Sequence, residues 1–128
     1  RVIDTPCAEN GMTGVAIGLA LAGMRPIIMY PRMDFMFLAF DQIINQAGNW
    51  QVMFGRDAYC PVIFWGIINN EGKQGIQHSQ DLTPYFRLKE GLTVVRPSNG
   101  NEAKILLLSA LKRNTPTVFI DNRKLYEV

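Results

Sequence analysis

The chain has 128 residues, 48% of them hydrophobic and 19% charged, with a formal net charge of +2. That length suits one core, and the scattered Lys and Arg form no basic run of the kind that binds nucleic acid. Two cysteines, Cys7 and Cys60, and a single histidine, His78, exclude a disulfide framework and an ordinary zinc site. The most apolar stretch, residues 12–24, is too short to span a bilayer. Lean charge together with 10% aromatic residues suggests that a partner covers part of the surface.

In chain order, Val2-Ile3 reads as a short extended segment closed by Thr5-Pro6, because the residue before a proline avoids helical dihedrals. Asn10 is the expected N-cap of a helix over residues 10–24. That leaves Glu9 on the corner ahead of the helix, where the positive helix end favours an anion. A carboxylate there either caps the helix or meets a ligand, and corner chemistry alone favours the cap. Gly14, Gly18 and Ala22 recur every four residues and share one helix face. Such a stripe suits tight packing on a sheet or a subunit interface.

Residues 26–30 form an apolar run of strand length, as in a buried parallel sheet, and Pro31 ends it. Asp34 is the expected cap of a long helix to Trp50, apolar almost all round. Residues 61–65 predict a buried strand ended by Gly66, and residues 67–80 a long loop carrying His78. A short helix is expected near residues 82–86 and a strand at 92–95. The helix expected over 101–112 offers Ile105, Leu106, Leu108 and Leu111 as its inner face, and the last strand is 116–120. Strands alternating with helices predict an α/β fold, a parallel sheet with helices on both faces, in a single domain over residues 1–128. The abrupt start at Arg1 and end at Val128 suggest a truncated piece of a longer polypeptide.

Gly11-x-x-Gly14 is not the dinucleotide fingerprint, no P-loop lysine follows a glycine loop, and no serine sits in a nucleophile elbow. What remains is Glu9, Phe35 just after the second expected strand, and His78. Ligands of open α/β sheets sit beyond the carboxyl ends of the strands, and all three residues map to that edge.

The ordered set Asp4-Thr5-Pro6-x-x-Glu9-x-Gly11-x-Thr13-Gly14, Gly23-x-Arg25-Pro26, Asp34-Phe35-x-x-x-x-Phe40-Asp41-Gln42-Ile43 and Gly75-x-Gln77-His78-Ser79-Gln80 resembles the beta subunit of the 2-oxoacid dehydrogenases. These are the thiamine-diphosphate-dependent decarboxylating components of complexes such as pyruvate dehydrogenase. Gly91-Leu92-x-Val94-Val95-x-Pro97-Ser98 and Pro116-x-Val118-Phe119-Ile120 extend the match across the chain, in the part corresponding to the transketolase-like pyrimidine-binding domain.

The resemblance implies that Glu9 hydrogen-bonds the aminopyrimidine ring and promotes proton removal from the thiazolium carbon. It implies that Phe35 packs on the pyrimidine face, that Pro31 stands where the family has a cofactor contact, and that His78 assists proton transfer or places the acyl group. It implies thiamine diphosphate shared with a partner alpha subunit, which also holds the magnesium, and a heterotetramer with a second beta subunit. A lipoyl-bearing acyltransferase would take the acyl group. The implied compartment is the cytoplasm, or the mitochondrial matrix in a eukaryote, consistent with two thiols in a reducing environment. Arg113 stands at the family's potassium-binding aspartate and Thr115 replaces Asn, which argues against that ion. Arg32 reads as a surface arginine or as a contact for an anionic substrate group. The rival expectations are a transketolase-like enzyme of a biosynthetic pathway and a non-catalytic scaffold subunit of the same fold.

Overall fold

A computed structural model of the chain describes residues 1–70 and 74–126. Its elements are helix α1 (Glu9–Leu21), strand β1 (Ile27–Tyr30), an irregular helical stretch ending in α2 (Trp50–Phe54), strand β2 (Ile63–Ile68), helix α3 (Thr83–Arg87), strand β3 (Thr93–Val95), helix α4 (Gly100–Lys112) and strand β4 (Thr117–Asn122). The four strands form a parallel sheet in the order β1-β2-β4-β3. Ile28 lies opposite Phe64, and Phe64 and Val94 both lie opposite Val118.

The pleat sends alternate residues to opposite faces. Val62, Phe64, Ile68, Val118 and Ile120 meet α1, the 33–54 stretch and α3 on one face. Ile63 and Phe119 meet α4 on the other, so helices cover both faces. The central strands β2 and β4 are almost wholly buried. β1 is an edge strand, and Ile27 (42% exposed) and Met29 (52%) face the side that carries α4. The expectation of a buried run there is corrected in that respect.

Four further expectations are corrected. Val2-Ile3 lies outside regular structure and is exposed. The capping residue of α1 is Ala8, without a side-chain bond, and Asn10 Oδ1 instead accepts from Gly11 N at 2.7 Å. The long helix from Asp34 is a succession of a 3-10 helix (Met33–Ala39), a π-helix (Asp41–Gln46), a 3-10 turn (Ala47–Asn49) and α2. Met33, Met36 and Ala39 are all fully buried. In a 3-10 helix, with three residues per turn, a spacing of three aligns them in one straight stripe. Strand β2 continues through Gly66, where a Cβ would collide with Met36 Sδ; glycine here permits close approach instead of ending the strand.

The inner face of α4 is Ala103, Leu106, Leu107, Ala110 and Leu111, while Ile105 and Leu108 point outward. Asn99 Oδ1 caps this helix from Glu102 N at 2.9 Å, and Glu102 Oε2 accepts from Ser98 N at 2.7 Å and Ser98 Oγ at 2.6 Å. These Ser98 bonds hold the Glu102 carboxyl below its ordinary value. At the other end, Arg25 Nη1 donates to Leu111 O (3.0 Å) and Arg113 O (2.5 Å), and Nη2 donates to Asn114 Oδ1 (2.8 Å). A cation thus sits on the negative end of the helix. A Cβ added at Gly14 or Gly18 would meet open space, so the small-residue stripe is not packed on the sheet; Thr13, Ala16, Ile17 and Ala20 face inward instead.

Candidate functional site

The carboxyl edge of the sheet carries the residues singled out above. Glu9 opens α1 and lies in its first turn, where a negative charge suits the helix dipole. It is the first helical residue, not the cap. Its side chain is half-buried, and among the described residues no hydrogen bond reaches its carboxylate.

Behind it lies a pair of hydroxyls. Thr13 Oγ1 donates to Glu9 O at 2.5 Å, one helical turn back, and lies 2.5 Å from Tyr30 Oη. Thr13 is fully buried and Tyr30, the last residue of β1, is 2% exposed. Burial pushes the Tyr30 phenol well up, and the nearby Glu9 carboxylate adds to it. The carboxylate charge is therefore felt at the end of β1.

Phe35 and His78 are brought together, ring centroids 5.2 Å apart and edge-to-face at 79°. Both are half-buried. The His78 loop is tied to residues 31–35 on either side of this contact. Arg32 Nε and Nη2 donate to Gln74 Oε1 at 2.8 and 2.5 Å, and Asp34 Oδ1 accepts from Gln80 N at 3.2 Å and Gln80 Nε2 at 2.8 Å. Asp34 is thus a loop anchor and not the expected helix cap. Arg32 is committed to Gln74 and to Pro31 O (2.6 Å). Pro31 is exposed at the end of β1. Residues 71–73 of the expected long loop lie outside the described residues.

Glu9, Phe35 and His78 thus share one edge. Phe35 and His78 are in ring contact, and Glu9 is linked to the end of β1 through Thr13 and Tyr30. The sequence places Thr13, Asp34 and Gln80 within motifs and Tyr30 within a strand, but it does not disclose these contacts. A tyrosine ending an apolar strand was the available signal, since a buried phenol needs a partner. Toward the other end of this edge, an open hollow is lined by Arg96, Pro97, Ser98, Asn122, Lys124 and Leu125. Its Arg96 guanidinium is engaged by Asp81 at 2.5 Å. Among the described residues no group of three or more His, Cys, Asp or Glu is placed to hold a metal ion, and no helix is long and apolar enough to cross a membrane.

The fold resembles a split-gene transketolase, solved as an inactive beta4 tetramer, with a TM-score of 0.76 at 19% identity, covering 94% of this chain and 37% of that one. In sequence, the chain is 43% identical over 126 residues to the beta subunit of acetoin:2,6-dichlorophenolindophenol oxidoreductase from Cupriavidus necator. It is 40% identical over 126 residues to the pyruvate dehydrogenase E1 component subunit beta of Rickettsia felis. The mitochondrial pyruvate dehydrogenase E1 component subunit beta of Homo sapiens is 38% identical over 128 residues. These alignments cover 98%, 98% and 100% of this chain, which spans only 37%, 39% and 36% of those relatives. Residues 1–128 match the family described as the transketolase pyrimidine binding domain, and the chain belongs to that family.

Proposed function

We propose that this chain is the pyrimidine-binding part of the beta subunit of a thiamine-diphosphate-dependent 2-oxoacid dehydrogenase. The whole enzyme decarboxylates a 2-oxo acid and passes the acyl group to lipoamide. The observation that carries this reading is the Glu9 carboxylate, half-buried in the first turn of α1 and without a hydrogen-bond partner among the described residues. An aminopyrimidine offers what such a group lacks, a ring nitrogen with which to share a proton.

The donor set fits that ring. Glu9 holds the shared proton at its carboxyl oxygen, and the half-buried Phe35 ring supplies an apolar wall that strengthens the contact by excluding water. Pro31 borders the same edge. His78, its ring held by Phe35 and its loop anchored by Asp34, moves a proton at the substrate or places the acyl group. The bound cofactor supplies the electron sink for decarboxylation.

In this reading the diphosphate and its magnesium belong to a partner alpha subunit, and two alpha and two beta subunits form the enzyme, with a lipoyl-bearing acyltransferase as acceptor. The exposed Gly14 and Gly18 face of α1 supports such a partner. We place the enzyme in the cytoplasm, or in the mitochondrial matrix if the source is a eukaryote.

The test is Glu9→Gln in the complete two-subunit enzyme, with cofactor binding followed by calorimetry and turnover by carbon dioxide release. Turnover is expected to fall by about 10²–10⁴-fold, the range for a lost acid–base group. Parental affinity and turnover would favour a scaffold subunit. The relative named as an acetoin oxidoreductase subunit favours a second reading, in which the substrate is a hydroxyketone such as acetoin. Offering the enzyme both substrates and following which is consumed separates the two.

A further inference from the structure

Resting on the role proposed for Glu9, we infer that Thr13 and Tyr30 are positioning residues, a buried pair of hydroxyls that aims the Glu9 carboxylate at its ligand. The first turn of α1 has little else to hold it. Its capping residue, Ala8, makes no side-chain bond, and residues 1–8 are exposed and outside regular structure. The order must come from the inner side of the helix.

There the proton count has one solution. Thr13 has a single hydroxyl proton, which goes to Glu9 O at 2.5 Å. Its oxygen is then left to accept, and the Tyr30 hydroxyl, 2.5 Å away, must donate. The chain of donors runs from the end of β1, through Thr13, to the carbonyl of the residue that bears the carboxylate. Both hydroxyls are shut off from water, at 0% and 2% exposure, so neither has a solvent partner to fall back on. The Glu9 charge is felt at Tyr30, so the pair and the carboxylate occupy one neighbourhood.

The test uses the complete two-subunit enzyme carrying Tyr30→Phe, Thr13→Val, the double variant, and Thr13→Ser. Tyr30→Phe is expected to raise the cofactor Kd and lower kcat by roughly five- to ten-fold each, the scale of one lost hydrogen bond and a slightly misaimed group, with the substrate KM unchanged. The double variant leaves no orphaned hydroxyl, so it is expected to keep the parental melting temperature while still showing both defects. Amide exchange in the first turn of α1, read without cofactor, is expected to speed up in Thr13→Val, and Thr13→Ser is expected to rescue it. A double variant with parental Kd and kcat would overturn the inference, leaving the pair as core packing. Glu9→Gln run alongside separates the levels. If it is impaired while the double variant is not, this inference alone fails; if it behaves as the parent, the proposed function fails as well.

Discussion

Asp81 shows how single side chains hold the loop region around the site. Its Oδ1 accepts from Thr83 N at 3.1 Å and Thr83 Oγ1 at 2.5 Å, and its Oδ2 accepts from Arg96 at 2.5 Å. Burial pushes its carboxyl up, but the Thr83 and Arg96 contacts outweigh that and hold it below the ordinary 3.8. A carboxyl depressed in the folded state adds stability above its unfolded value and loses it as pH falls through the folded value. The pair is about a third exposed, so water and salt screen most of it. Asp81→Asn is expected to cost less than about 1 kcal/mol at neutral pH. The difference from the parent should vanish at acid pH, once the native carboxyl is itself protonated. Urea titrations across a pH series check both points.

Elements behave according to what lies across from them. The 33–54 stretch has enough apolar residues for an ordinary amphipathic helix, yet Met33, Met36 and Ala39 all have to reach the sheet and α1. The 3-10 winding achieves that, and it brings Phe35 to His78. A second backbone approach fixes the turn before β3. Gly91 has φ +88°, and a Cβ there would run into the Gly48 carbonyl oxygen. Gly91→Ala is therefore expected to destabilise by more than about 1 kcal/mol, since positive φ and a backbone clash act together. A lower denaturant midpoint with an unchanged slope would be the signature; a parental midpoint would mean the turn adapts freely.

At the scale of the molecule, large apolar side chains remain in the open: Val52 is 84% exposed, Phe54 62%, Leu38 60% and Val15 54%. Surface of this kind suits an interface. With the diphosphate and magnesium assigned to another subunit, residues 1–128 hold half of the proposed site. The isolated chain is expected to bind thiamine diphosphate weakly and to release no carbon dioxide from a 2-oxo acid. Calorimetry and a turnover assay on the 128-residue chain measure both, and turnover by the chain alone would contradict the half-site assignment.

Periodicity, proline and glycine punctuation and the ordered motifs determined the parallel α/β fold, the order of its elements and the family, because those signals are local and each needs only a few neighbouring residues. Asp34 was legible as important but not as the anchor of Gln80, a partner 46 residues away. The edge position of β1, the face that α4 buries, the 3-10 and π winding after Arg32, and the Tyr30–Thr13 pair were decided only in three dimensions. Each depends on which distant segment fills the space opposite. An apolar run in a one-dimensional sequence says that something must cover it, while long-range strand pairing selects what does.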